Sequence, residues 1–274
     1  MSKLILFAIF PGALLLANVE EKETIRQTYG FASKLEIRNV NGAVRVTSGS
    51  GNTIQFVANK RIDAKTPEAL EQAKREVRLD VQASSDRLRV CIAGPFNNCN
   101  EERGHNCQGD CHRDYNVSYD FELQVPKGIV LDLRSVNGGI SAKSLDGAFQ
   151  VNTVNGAVTL EDMGSSGSAH TVNGKVKLSF TKVPNQPLDV KTVNGAIEAA
   201  FPKDFHADLK FKTLHGDVFT SFPSTAIGNM PAETERKNGR TVIRSNRQFG
   251  VRIAGGGPEH KFETVNGSIQ IAER

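Results

Sequence analysis

One tripeptide limits what this chain can fold into more than any other feature. Val-Asn-Gly ends at Gly42, Gly138, Gly156, Gly174, Gly195 and Gly267, and a Leu-His-Gly variant ends at Gly216. After the early copy at Asn41, the corner residues are Asn137, Asn155, Asn173, Asn194, His215 and Asn266. Their successive gaps are 18, 18, 21, 21 and 51 residues. A period near 20 is the mark of coils stacked on one another. The flanks carry a second regularity. Four residues before the corner stand Leu133, Val151, Ala169, Val190, Phe211 and Phe262. Three after it stand Ile140, Val158, Val176, Ile197, Val218 and Ile269. One before it stand five Val and Leu214. Polar residues (Arg134, Asn152, His170, Lys191, Lys212, Glu263) alternate with these, as in strands with one buried face.

Asn-Gly between alternating arms is also a hairpin signal, so a meander competes with a solenoid. Two features favour the solenoid. The corners are nearly identical, while the opposite side varies freely ("SLDGA", "DMGSSGS", "KVPNQP", "PKDFHAD"). Phe180, Phe201 and Phe222 also recur at 21 and 21 residues, which predicts a column of stacked rings. Ser135, Thr153, Thr171, Thr192, Thr213 and Thr264 predict a hydroxyl ladder beside it. The corner glycine is read as the residue that takes the positive φ a sharp bend demands. The expected fold is all-β: a single-chain β-solenoid with coils of 18–21 residues over 129–274. Before it comes an N-terminal β segment, 18–128, with one short helix at 66–77, continuous with the solenoid as one domain. Thr66 as N-cap, Pro67 at the first helical position and Glu68 in the first turn predict that helix.

Composition enters at the N-terminus. Lys3 precedes an apolar run, Leu4–Ala17, that is short for a bilayer span and is broken by Pro11. Its layout is that of a secretory signal peptide over 1–17, with a retained anchor as the alternative. No Cys precedes Cys91, so no lipidated Cys follows the run. The expected location is exported: periplasmic, cell-surface or extracellular, with no transmembrane segment in the mature chain. Net charge is +4, with 34 basic and 30 acidic residues interleaved, and there is no Trp. Nothing here forms the basic and aromatic platform of a nucleic-acid binder.

Cys91, Cys99, Cys107 and Cys111 share the stretch "CIAGPFNNCNEERGHNCQGDC". An even count in an exported chain predicts disulfides. The nested pairing, Cys91–Cys111 around Cys99–Cys107, is preferred because it closes the loop at its base. The rival is a metal site using the four thiolates with His105 and His112, crowded by Asp110 and Asp114. The C-x7-C-x7-C-x3-C spacing lacks the paired knuckles of most zinc modules. A metal or redox sensor built on this loop is therefore the minor reading.

The recurrent "TVNG-x-[VI]" corners, the early "RNVNGAVRV", the helix "TPEALEQAKREV", the segment "FELQVPKGIVLDLRSVNG" and the cluster Gly255–Gly257 appear in a definite order over 24–274. In that order the chain resembles the bacterial exported β-helix family of adhesin-like proteins, a domain of unknown function. The resemblance implies a β-solenoid in the envelope or outside the cell, and brings no catalytic residue or cofactor.

Catalytic signatures are missing: G-x-S-x-G, H-E-x-x-H and the phosphate loop are all absent. A carbohydrate hydrolase or lyase would need converging carboxylates, for which Asp146, Glu161 and Asp162 are the candidates. The histidines His170, His206 and His260 read as solvated, and His215 as a turn cap. The expected function is non-catalytic: an envelope protein in a binding, adhesive or structural role, with a protein or glycan partner and no cofactor.

Overall fold

The computed structural model describes residues 18–95, 99, 113–228, 233–237, 240–244 and 248–274. The expected leader, residues 1–17, lies outside the described residues. Among those described, strands make up nearly all the regular structure and one helix, Pro67–Glu76, stands apart. The architecture is all-β and solenoid-like, with two open sheets of 12 and 11 strands among the described residues.

The repeat works as follows. Each coil sends one strand into the 11-stranded sheet before its corner and one into the 12-stranded sheet after it. In chain order the seven coils are Lys34–Arg38 with Val44–Ser48, Val130–Arg134 with Ile140–Lys143, and Phe149–Asn152 with Val158–Met163. Gly167–His170 with Val176–Phe180 and Asp189–Lys191 with Ile197–Phe201 follow. Ala207–Lys212 with Val218–Thr220 and Glu259–Glu263 with Ile269–Glu273 complete the set. Neighbouring coils pair parallel and in register, Val151 beside Leu133 and Ala169, Val158 beside Ile140 and Val176. A hairpin would pair the two arms of one corner antiparallel, so the meander is excluded.

Burial follows the repeat. Ile37, Leu133, Val151, Ala169, Val190, Phe262 and Phe211 point inward before the corners, each at 0% exposure. Val44, Ile140, Val158, Val176, Ile197, Ile269 and Val218 point inward after them. Each fully buried side chain of this kind contributes about 1.5–3 kcal/mol.

The stack does not follow chain order. The seventh coil lies between the fifth and the sixth: Glu259–Glu263 pairs with both Asp189–Lys191 and Ala207–Lys212. Ile269–Glu273 likewise pairs with both Ile197–Phe201 and Val218–Thr220. The predicted aromatic column is therefore interrupted. Phe180 and Phe201 stack with centroids 5.0 Å apart and planes 3° from parallel. Phe222 reaches them only through Phe205, 3.9 Å from Phe201 and 5.5 Å from Phe222.

Both ends are closed by further strands. Tyr115–Val125, Ile54–Ala64 and Val19–Tyr29 extend the larger sheet beyond the first coil. The outermost, Val19–Tyr29, carries the charged residues Glu20, Glu21, Lys22, Glu23 and Arg26 along its length, which discourages pairing with other chains. The helix packs on this end. Thr66 caps it by accepting from the Ala69 N–H at 3.2 Å, and it buries Ala69, Leu70 and Ala73 against Ile54–Ala64.

The preferred cysteine pairing is overturned. Cys91 is bonded to Cys99, which excludes both bridges of the nested scheme, Cys91–Cys111 and Cys99–Cys107. Cys91 lies within the strand Arg87–Ala93, two residues before its end, and Cys99, eight residues on, stands beside it with Cα atoms 5.8 Å apart. Cys107, Cys111, His105, Asp110 and His112 lie outside the described residues.

Candidate binding edge along the stacked corners

The corners form one straight edge of the solenoid. Their backbones are joined by parallel bridges in the order Asn41, Asn137, Asn155, Asn173, Asn194, Asn266, His215. The amides repeat that order as a hydrogen-bonded ladder. Each Nδ2 donates to the Oδ1 of the corner before it, at 2.9 Å for Asn137, Asn155 and Asn173, 2.8 Å for Asn194 and 2.7 Å for Asn266. All the amide dipoles point one way, so each bond polarises the next. At one end the Asn41 amide donates to the Val117 carbonyl at 3.1 Å. At the other, Nδ1 of His215 lies 3.0 Å from Asn266 Oδ1. That oxygen only accepts, so Nδ1 carries the proton. The imidazole thus makes the donation that an Asn amide makes at every other rung, which is how the column accommodates His in place of Asn.

Beneath the ladder the hydroxyls do not bond to one another. Thr153, Thr171 and Thr192 each donate to the corner-glycine carbonyl of the coil before, at 2.9 Å. Thr264 and Thr213 do the same, to Gly195 and Gly267 at 3.0 Å. The first coil has Asn39 in this column, and its amide takes the Gly42 carbonyl at 2.9 Å. Ser135 in the next coil is left without a partner for its buried hydroxyl.

The corner glycines also have another reason than the expected one. Among the corners only Gly42, at +106°, and Gly216, at +159° and so nearly extended, have positive φ. At Gly138, Gly156, Gly174, Gly195 and Gly267 a Cβ would come within 1.9–2.3 Å of the glycine carbonyl of the adjoining coil. The position is glycine because two coils approach there, not because the chain bends there.

The valines preceding the corner asparagines face solvent. Val136, Val154, Val172, Val193 and Val265 are 38–41% exposed and Leu214 is 61% exposed. Parity explains this: residues four and two before the corner point inward, so the residue one before points out. Six of the nine exposed large apolar side chains among the described residues lie in this single column. On one side of it run the amides. On the other runs the outward row Arg38, Arg134, Asn152, His170, Lys191, Glu263 and Lys212, aligned by strand register.

At the first-coil end that row merges with an ion cluster. Arg38 grips Asp132 with two parallel bonds of 3.0 and 2.9 Å, and Lys34 and Arg134 approach at 3.4 Å. Burial pushes the Asp132 carboxyl up, but the cations outweigh it and hold it below the usual range. Glu36 receives Arg38, Arg87 and Arg89 at 3.1–3.6 Å.

The remaining candidates fall elsewhere. Asp146 faces Lys127 at 3.5 Å and Lys182 at 3.6 Å, Glu161 faces Lys177 at 3.1 Å, and Asp162 pairs with Arg274. Each carboxylate is thus held by a different cation. Asp114 pairs with Lys65 at 2.7 Å. His206 is exposed and His170 lies 3.2 Å from Asp189. His260 is not solvated. It is fully buried against Phe201 and Phe205, accepts from the Leu188 N–H at 3.2 Å, and burial pushes its pKa down to about 4.

A family model, Toastrack DUF4097, matches residues 24–249. The chain belongs to the Toastrack family. That agrees with the resemblance drawn from the corners, and the model's last matched residue precedes the seventh coil. Among solved structures, a "putative cell adhesion protein" from Clostridium sporogenes is 13% identical, with 94% of this chain and 100% of that one covered and a TM-score of 0.39. A "putative adhesin" from Bacteroides fragilis is 10% identical, covering 92% and 97%, with a TM-score of 0.37. A "putative lipid binding protein" from Parabacteroides distasonis is 10% identical, covering 92% and 96%, with a TM-score of 0.26. Likeness this slight says nothing of what the Toastrack chain binds. No curated protein matches it. No helix among the described residues is long and apolar enough to cross a membrane.

Proposed function

We propose that this Toastrack chain is an exported, non-catalytic binding protein of the cell envelope, with coils of 18 or 21 residues between the stacked corners from Asn137 to Asn194. Its corner edge is the recognition surface for an external protein or glycan partner. One observation carries this reading: the exposed apolar side chains are gathered into one column instead of being scattered. A lone exposed valine needs no explanation, whereas a continuous apolar strip on a soluble surface marks contact with something else. The strip is stiff, because every rung is tied to the next through backbone and corner side chain and, from Thr153 onward, through a threonine hydroxyl as well. A rigid surface has little conformational entropy to lose on binding.

The test is association of the purified chain with isolated bacterial envelopes. The variant Val154→Ser/Val172→Ser keeps every ladder bond and is expected to bind about tenfold more weakly, equivalent to roughly 1.4 kcal/mol. Undiminished binding with an unchanged melting temperature would remove the edge from the proposal. Absence of any binding by the parent chain would remove the function.

A further inference from the structure

The position of the seventh coil is the least expected feature of the molecule. The spacing from Asn173 to Asn194 and from Asn194 to His215 is 21 residues in both cases, and so is that between Phe180, Phe201 and Phe222. The fifth and sixth coils therefore carry the period of direct neighbours. They are held apart by residues 259–273, which arrive after the intervening strands Ser224–Ile227, Glu233–Lys237, Arg240–Arg244 and Phe249–Ile253.

The two walls of this gap make the same demands. Ile269 is the register partner of both Ile197 and Val218, and Phe262 of both Val190 and Phe211. Toward the fifth coil, Gly195 and Ile197 donate their N–H groups to Asn266 and Ser268 at 3.0 Å. Toward the sixth, Gly267 and Ile269 donate to His215 and Asp217, also at 3.0 Å. Between the walls Phe262, His260 and Ile269 are wholly buried, and Ile271 nearly so. A coil of the Val-Asn-Gly pattern thus fits this gap along two edges at once. The tether into it is short and largely exposed. Ala254, Gly255 and Gly256 have φ of +47°, +86° and +87°, and Ala254, Gly255 and Gly257 are exposed.

We propose that the gap between the fifth and sixth coils is a strand-insertion site, filled in a single copy by its own residues 259–273 and able to receive the same residues from a second copy. Exchange replaces each contact by an identical one, so only the tether and the joining of two bodies alter the free energy. An empty gap would return Phe262, Ile269 and Ile271 to water, so the site accepts a coil only as it gives one up, through local opening of this end of the stack. The occupant is a second copy of this chain, because its coil already satisfies both walls.

Glu198 and Gln270 are register partners on the outward face of the fifth and seventh coils. Full-length chains carrying Glu198→Cys or Gln270→Cys are mixed, unfolded in denaturant, refolded together at high concentration and mildly oxidised. The expected result is a disulfide-linked pair on non-reducing gels and a doubled mass by light scattering. The same treatment of Glu198→Cys with Lys143→Cys, whose register partners are Thr47 and Glu161, gives the background. The double variant Glu198→Cys/Gln270→Cys, oxidised as a monomer, locks its own coil in place and is expected to lose the dimer. Linkage no greater than background overturns the proposal. So does a locked variant that dimerises like its parent, and so does a refolded parent that stays monomeric throughout.

Discussion

Gly156→Ala tests the account of the corners most directly. A Cβ at this position would stand 2.3 Å from the Gly138 carbonyl oxygen, 2.5 Å from its carbon and 2.8 Å from Gly139 N. Ordinary contact begins near 3.4 Å, so the two coils must part by about 1 Å, out of a normal strand spacing of about 4.8 Å. Overpacking of this kind costs about 1–3 kcal/mol. The parting also stretches bonds that span the same gap. Gly138 N–H to Asn155 O is 3.0 Å, Thr153 Oγ1 to Gly138 O is 2.9 Å, and Asn155 Nδ2 to Asn137 Oδ1 is 2.9 Å. Losing two of them adds about 2 kcal/mol. A total of about 3–5 kcal/mol is a large share of the roughly 5–15 kcal/mol that holds an ordinary domain.

The assay is equilibrium unfolding in urea followed by circular dichroism, with the slope checked against the parent. Gly30→Ala is the control. It has nothing within 4 Å of the added carbon and is expected to stay within about 0.5 kcal/mol of the parent. Gly156→Asn separates two explanations. Were the corner glycine needed for a left-handed backbone, Asn would restore most of the stability, since Asn tolerates that region. Close approach predicts that Asn is as damaging as Ala. A Gly156→Ala variant as stable as Gly30→Ala would refute the reasoning.

Three further outcomes are expected. Asn155→Asp keeps the acceptor for Asn173 and removes the donor to Asn137, so it should lose stability by about 1–2 kcal/mol in urea, as Asn155→Ala should. His260 has its pKa pushed down to about 4 by burial, against about 6.5 when unfolded, so the unfolded chain takes the proton first. Stability is then full above about pH 6.5 and falls by on the order of 3 kcal/mol as pH drops toward 4, a window that His260→Leu should flatten in pH-dependent melts. Peptide mapping under non-reducing conditions should recover Cys91 linked to Cys99, and Cys91→Ala should cost about 2–3 kcal/mol for the short loop it opens; a Cys91–Cys111 peptide would contradict the fold described here.

The coil itself was legible because it obeys a local rule. Alternation puts Val151 and Thr153 on one side of the backbone before the corner and Val158 and Leu160 on one side after it, and like must lie on like, so period and parity were enough to specify a stacked architecture. The valine before each corner was grouped with the buried positions, although the same parity puts Val154 outside, since it is three residues from Val151 and one from Thr153. The edge could therefore have been read from spacing by counting odd and even, without any structure. The glycines were misread for a physical reason: a sequence shows that a Cβ is absent, but not whether an angle or a neighbour forbids it. His260 did carry a local signal, since it stands two residues before Phe262 on the same inward side of its strand; it was misread because histidine is a polar type, and the rings that bury it, Phe201 and Phe205, are distant in sequence. Least legible was the order of the stack. Every coil presents equivalent faces above and below, so the repeat specifies how two coils join but not which two. That choice belongs to the links between them, here Pro202–His206 and Ala254–Pro258, whose composition carries no period. The regularity that makes the fold readable is thus also what leaves room for another coil, and exchange of the last one between copies follows from the same degeneracy.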